Sequence, residues 1–139
     1  MNILVIDGQG GGVGRQLIEN IKNEFPRIEV TAVGTNAWAT QSMLKAGADH
    51  AATGENAVIV NCRTADIIVG PIGIVIADSL YGEITPAMAV AVGRSTAQRV
   101  LLPMNLCRNI IVGVGEPSVS RLMEDALAQF RTILSGEAK

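Results

Sequence analysis

The sequence predicts an α/β fold, a Rossmann-like three-layer sandwich with a mainly parallel sheet. Three observations carry that expectation. Strand-like and helix-like segments alternate along the chain; the strand-like ones are continuous apolar runs; and a glycine cluster stands between the first strand and the first helix. Continuous apolar runs belong to strands buried on both faces, as in a parallel sheet between two helical layers. At 139 residues the chain suits a single domain, 1–139, long enough to bury a core without disulfides or metals.

Each element follows from its own residues. "NILVID" (2–7) reads as the first buried strand. Gln16 to Phe25 carries Leu17, Ile18, Ile21 and Phe25 at helical spacing, and Pro26 stops that helix. "IEVTAVG" (28–34) is the second strand, and "NAWATQSMLKAG" (36–47) is a helix with Asn36 as N-cap and Gly47 past its end. "ADHAAT" (48–53) reads as a minor strand, and "GENAVIVNC" (54–62) as a helix started by Thr53 despite its β-branched residues. "ADIIVG" (65–70) is a strand. In 71–95 we expect a helix from about 72 to 80, ended by Gly82, then a second helix with Thr85 as N-cap and Pro86 at its first position. "QRVLLP" (98–103) and "NIIVGV" (109–114) read as strands. "PSVSRLMEDALAQFRTIL" (117–134) is the most regular amphipathic helix, with Leu122, Ala126, Phe130 and Ile133 on one face.

The loop after the first strand, "DGQGGGVG" (7–14), holds five glycines within seven residues. In a parallel α/β sheet, ligands bind beyond the carboxyl ends of the strands, where this loop stands. A helix N-terminus has unpaired N–H groups and a partial positive charge, and glycine lets a phosphate reach the backbone. The loop residues Gly8, Gln9, Gly10, Gly11, Gly12, Val13 and Gly14 are therefore the candidate binding residues for a phosphorylated ligand. The G-x-G-x-x-G pattern fails because Val13 stands at its third glycine. The triphosphate loop G-x-x-x-x-G-K-[ST] fails because Arg15 and Gln16 replace its lysine and hydroxyl, which argues against a nucleotide triphosphatase.

The spacing that fits is G-x-x-x-G-x-G, from Gly8, Gly12 and Gly14, with a helix following. It resembles the phosphate loop of the short-chain dehydrogenases and reductases, and that resemblance implies NAD or NADP as the cofactor. It extends to about residue 40 and then departs. The only tyrosine is Tyr81, with Thr85 four residues on, so the Tyr-x-x-x-Lys pair of that family is missing. Asp7 replaces the usual threonine, which is unfavourable beside a phosphate unless its carboxylate turns to cap backbone N–H groups. The second strand ends in Thr35 and Asn36, not in the acid of an NAD site or the arginine of an NADP site. Both side chains can still hydrogen-bond a ribose or a phosphate. Over most of its length the chain resembles an uncharacterised bacterial family of small Rossmann-like proteins, a domain of unknown function. The matching stretches are "IDGQGGGVG" (6–14), "GTNAWATQSMLKAGA" (34–48), "ATGENA" (52–57), "DIIVGPIGIVIADSLYGEITP" (66–86) and "LLPMN" (101–105). That resemblance implies the fold and no activity.

Further loops belong at the same sheet edge. "TGEN" (53–56) and "GTN" (34–36) serve as helix caps or help to shape one pocket. Gly70 and Pro71 follow the middle strand and are candidates to pack against an adenine or ribose face, and Asn105 is a candidate to close the cleft. Catalysis is the alternative reading, an oxidoreductase-like enzyme using Asp78, Glu83 or His50. No recognisable acid–base pair accompanies them, no metal site is expected, and a binding module ranks first. A third reading is an oligomeric structural or interaction protein whose loop binds nothing.

Charged residues make up 17% of the chain, below the usual ~25%. A surface so poor in charge suggests that another subunit covers part of it. The uncharged stretch "ITPAMAVAVG" (84–93) would form a helix apolar nearly all round, so a homo-oligomer is expected through 72–93. A net charge of −2 without a basic block argues against nucleic acid or an anionic membrane as partner. "IIVGPIGIVIA" (67–77) is too short to span a bilayer, which needs ~20 residues. The start of the chain lacks the basic and cleavable features of a secretion signal, so a cytoplasmic protein is expected. Cys62 and Cys107, each isolated, read as inert core thiols.

Overall fold

A computed structural model describes residues 1–104, 106 and 108–136. The first strand, β1 (Asn2–Asp7), is buried from Ile3 to Asp7, and its side chains divide between two cores by the two-residue period of a strand. Ile3 and Val5 join one apolar cluster; Leu4 and Ile6 join the other. The remaining strands are β2 (Glu29–Gly34), β3 (His50–Thr53), β4 (Ile67–Pro71) and β5 (Gln98–Leu102). They pair in the order β3-β2-β1-β4-β5, every pairing parallel.

The helices are α1 (Gly12–Glu24), α2 (Ala37–Lys45), α3 (Glu55–Cys62), α4 (Pro86–Arg94) and α5 (Val119–Leu134). Leu17, Ile18 and Ile21 of α1, Ala39 and Met43 of α2, and Leu122, Ala126 and Phe130 of α5 pack against Ile3, Val5 and Val69. Val58 of α3 with Met88 and Val92 of α4 covers the opposite face, against Leu4, Ile6 and Ile68. Helices on both faces of a parallel sheet give the expected Rossmann-like sandwich. Among the described residues, no helix is long and apolar enough to cross a membrane.

Four expectations need correction. The first helix starts at Gly12, within the glycine run, not at Gln16. Glycine disfavours a helix by ~1 kcal/mol per residue, and here the Asp7 carboxylate compensates by accepting the Gly14 N–H at 2.7 Å. The third helix is capped by Gly54, not by Thr53. The Thr53 hydroxyl instead meets that of Thr40 at 2.7 Å.

No α-helix spans 72–80. A short 3₁₀ turn covers Ile72–Val75, after which Asp78, Leu80 and Tyr81 take left-handed φ angles of 66°, 55° and 57°. The β-branched run disfavours a helix here, and Ser79 draws the chain away by donating its hydroxyl to the Gly73 carbonyl. "NIIVGV" (109–114) is not a strand. Positive φ at Arg108, Gly113 and Gly115 interrupts an extended run, and Ile110 and Val112 stand 88% and 89% exposed.

Candidate functional site

The chain moves one way across the sheet from β1 to β3, then returns past β1 to add β4 and β5. The strand order reverses between β1 and β4, and the carboxyl ends of such a pair are the place of the ligand crevice in doubly wound sheets. The glycine loop, 8–11, follows β1 into that crevice. Thr35 and Asn36 follow β2, the neighbour of β1.

Asp7 anchors the loop from below. It is buried, and its Oδ1 accepts the N–H of Gly8 at 2.8 Å while Oδ2 accepts that of Gly14 at 2.7 Å. The carboxylate thus caps the first turn of α1, the one arrangement that reconciles an acid with this position. Burial raises its pKa above the ordinary value and the charge of Glu83 adds to the rise, against the lowering effect of the Gly14 and Gly8 N–H groups.

The glycines of the loop divide into two kinds. Gly8, Gly11 and Gly14 have internal reasons to lack a side chain. A Cβ at Gly8 would lie 2.6 Å from the Thr35 hydroxyl, and one at Gly14 would lie 3.0 Å from the Asp7 Cβ. Gly11 takes φ +73°, and its Cβ would meet the Ala39 backbone at 2.8 Å. Gly10 and Gly12 have no such reason. A Cβ at either would find nothing within 4 Å, and neither has a left-handed φ. Among the described residues, no protein acceptor takes their backbone N–H groups.

A third segment closes over the loop. Glu83 reaches it from the turn after β4. Its Oε1 accepts from Asn36 Nδ2 at 2.6 Å, from the Thr35 hydroxyl at 2.8 Å and from the Gln9 N–H at 3.2 Å. Its Oε2 accepts from the Gln9 N–H at 3.1 Å. Burial alone would raise the Glu83 pKa, but the Asn36, Thr35 and Gln9 donors outweigh it and lower the pKa. Asn36 also caps α2, accepting the Ala39 N–H at 2.8 Å, and donates to the Gln9 carbonyl at 3.0 Å.

The turn that carries Glu83 is held in a conformation costly for ordinary residues. A left-handed residue other than glycine costs ~1–2 kcal/mol, and Asp78, Leu80 and Tyr81 all adopt one. The Asp78 N–H donates to the Ile84 carbonyl at 2.7 Å, and Leu80 is buried beneath. Tyr81 at the tip is fully exposed.

The structure thus gathers Gly8 to Gly14, Thr35 and Asn36 at one end of the sheet. Gly70 and Pro71 lie there too but are buried. A Cβ at Gly70 would run into the Ile6 carbonyl oxygen, so packing explains that glycine without a ligand. Of the three residues considered for catalysis, Glu83 alone bonds to the loop. Asp78 closes the turn through its backbone. His50 begins β3 and pairs with Glu29 at 2.6 Å, at the amino end of the sheet, away from the crevice.

Glu55, in "TGEN", accepts the Thr85 hydroxyl at 2.6 Å and so ties the start of α3 to that of α4. Burial pushes the Cys62 thiol up to about 11, which keeps it protonated and unreactive. Asn105 and Cys107 lie outside the described residues. Among the described residues, no group of three His, Cys, Asp or Glu side chains is placed to hold a metal. A groove of about 680 Å³ between β5 and α5, lined by Val100, Leu102 and Leu122, includes none of the glycine-loop residues. The link between Glu83 and the Thr35–Asn36 pair was not visible in the sequence, where 48 and 47 residues separate them.

A family model described as a domain of unknown function (DUF3842) matches residues 2–135. None of the curated proteins matches the chain. Among solved structures, the chain is similar to a dodecameric FMN-dependent UbiX-like decarboxylase from Escherichia coli O157:H7. The two share 18% identity over 94% of each chain, with a TM-score of 0.48.

Proposed function

We propose that this chain, which belongs to the DUF3842 family of unknown function, is a binding module for a phosphorylated small molecule, a nucleotide above all. One observation carries the reading. Gly10 and Gly12 present unpaired N–H groups and open space at the start of α1, and no packing or backbone demand explains the missing side chains. A phosphate on those two N–H groups would supply the missing acceptor, assisted by the helix dipole. The crevice at the strand reversal supports the same location. NAD and NADP are the dinucleotide candidates, and the cytoplasm is the proposed compartment.

The test is native mass spectrometry of the purified protein, alone and with NAD, NADP, ADP or FMN. A mass increment from any of them is expected. A bare protein in all four mixtures would leave the loop as a packing turn and remove the proposal.

The same spectra report the assembly. We propose a homo-oligomer formed through the outer surface of 72–93, supported by Val90 at 47% exposure and by the fully exposed Tyr81. Ala89 is a poor probe because it belongs to the chain's own core. Val90→Glu should dissociate the oligomer and leave the thermal midpoint of the isolated subunit little changed, since surface substitutions stay within about ±0.5 kcal/mol. An assembly of unchanged mass would count against this surface.

A further inference from the structure

We infer that Glu83 is the ribose-reading residue of this crevice, selecting nucleotides whose ribose keeps a free 2′,3′-diol over those carrying a 2′-phosphate. The inference rests on the phosphate reading of the glycine loop and adds the identity of the neighbouring group. Dinucleotide sites usually place an acid at the end of the second strand, where it accepts the ribose hydroxyls. Here that strand ends in Thr35 and Asn36, and neither is acidic. The fold supplies the acid from another connection. Glu83 comes from the turn after β4 and bonds directly to both residues, at 2.8 and 2.6 Å.

The two carboxylate oxygens are not equivalent. Three donors converge on Oε1: Asn36, Thr35 and the Gln9 N–H. Oε2 receives only the Gln9 N–H, at 3.1 Å. An ionised carboxylate oxygen can accept more than one hydrogen bond, so Oε2 retains capacity for a ligand hydroxyl. Its position is fixed by Oε1, which spares much of the ordering cost of binding. The Gln9 N–H adjoins that of Gly10, so the acceptor of hydroxyls stands beside the donors proposed for phosphate. This order suits a ribose attached to its own phosphate. A 2′-phosphate would instead meet the charges of Glu83 and, beneath the loop, Asp7.

Isothermal titration would compare ADP with 2′-deoxy-ADP, and NAD with NADP, on the wild type and on Glu83→Gln and Glu83→Asp. The wild type should bind the free-diol member of each pair about tenfold more tightly or better, the scale of one hydrogen bond to a charged group. Glu83→Gln should lose most of that preference, because an amide neither repels phosphate nor accepts as strongly. Glu83→Asp keeps the charge but withdraws it by one methylene, and should lose it too. Circular dichroism would check that both variants fold.

Wild-type protein that binds NADP as well as NAD would overturn the diol assignment and leave the phosphate reading standing. A Glu83→Gln variant that tightens on every nucleotide alike would also overturn it, by making Glu83 a competitor for the phosphate position. Binding of none of the four would remove both readings.

Discussion

Gly70→Ala is expected to destabilise the fold by about 3 kcal/mol, the upper part of the range for forcing extra volume into a packed core. The added Cβ would fall on the Ile6 carbonyl oxygen, with Ile74 Cδ1 3.2 Å away. The carbonyl belongs to backbone and has no rotamer to change. It sits in β1, the central strand, which pairs with β4 through Val5 and Val69 just before the clash. Moving either strand would disturb both apolar cores at once, because β1 feeds each of them. Gly93→Ala provides the contrast. A Cβ there meets nothing within 4 Å and lies in α4, so alanine should stabilise by roughly 0.5–1 kcal/mol. Urea denaturation of both variants reads the two signs directly. Equal midpoints for Gly70→Ala and wild type would show that β1 and β4 can part without cost, contrary to their close packing.

Gly70 also shows where sequence reasoning ran out. Its place at the end of a strand facing the crevice was legible from the alternation of elements, as were all five strands that form the sheet and the caps at Asn36 and Thr85. Its reason for being glycine was not legible, because the atom that forbids a side chain belongs to Ile6, a distant residue brought close by strand pairing. The same limit hid the role of Glu83. Local sequence shows an acid near a tyrosine, and only the topology brings it onto Thr35, Asn36 and Gln9. The failures at 72–80 and 109–114 have a different cause. Apolar spacing there imitates a helix and a strand, while left-handed residues, consecutive at Leu80, Tyr81 and Gly82 and isolated at Arg108, Gly113 and Gly115, impose turns that periodicity does not register. Asp7 was legible as a conditional: an acid in that place had to cap backbone N–H groups, and it does.

Gly12→Asp is expected to abolish nucleotide binding, by at least about a hundredfold, while leaving the protein folded. The two halves of that expectation come from the same observations. The position has open space for a side chain and no left-handed φ, so the fold tolerates one. It is also the first residue of α1, where an acid interacts favourably with the helix dipole by about 0.3–1 kcal/mol. Replacing glycine in a helix adds up to roughly 1 kcal/mol more. Repulsion from Asp7 and Glu83 opposes these gains, so the net change in stability should be small. A ligand phosphate meets the opposite balance, since the new carboxylate would occupy the space and the N–H groups it needs and repel its charge. Gly12→Ala separates the two contributions, because it removes the open space without adding charge and should weaken binding less. Gly11→Ala is the structural counterpart: with φ +73° and the Ala39 backbone at 2.8 Å, it should lose stability whether or not a ligand exists. Thermal unfolding and titration with ADP and NAD, run on all three variants, distinguish a binding loop from a packing turn. If Gly12→Asp binds either nucleotide as wild type does, Gly10 and Gly12 are open for a reason unrelated to phosphate. If it unfolds, the space beside Gly12 is needed by the chain itself.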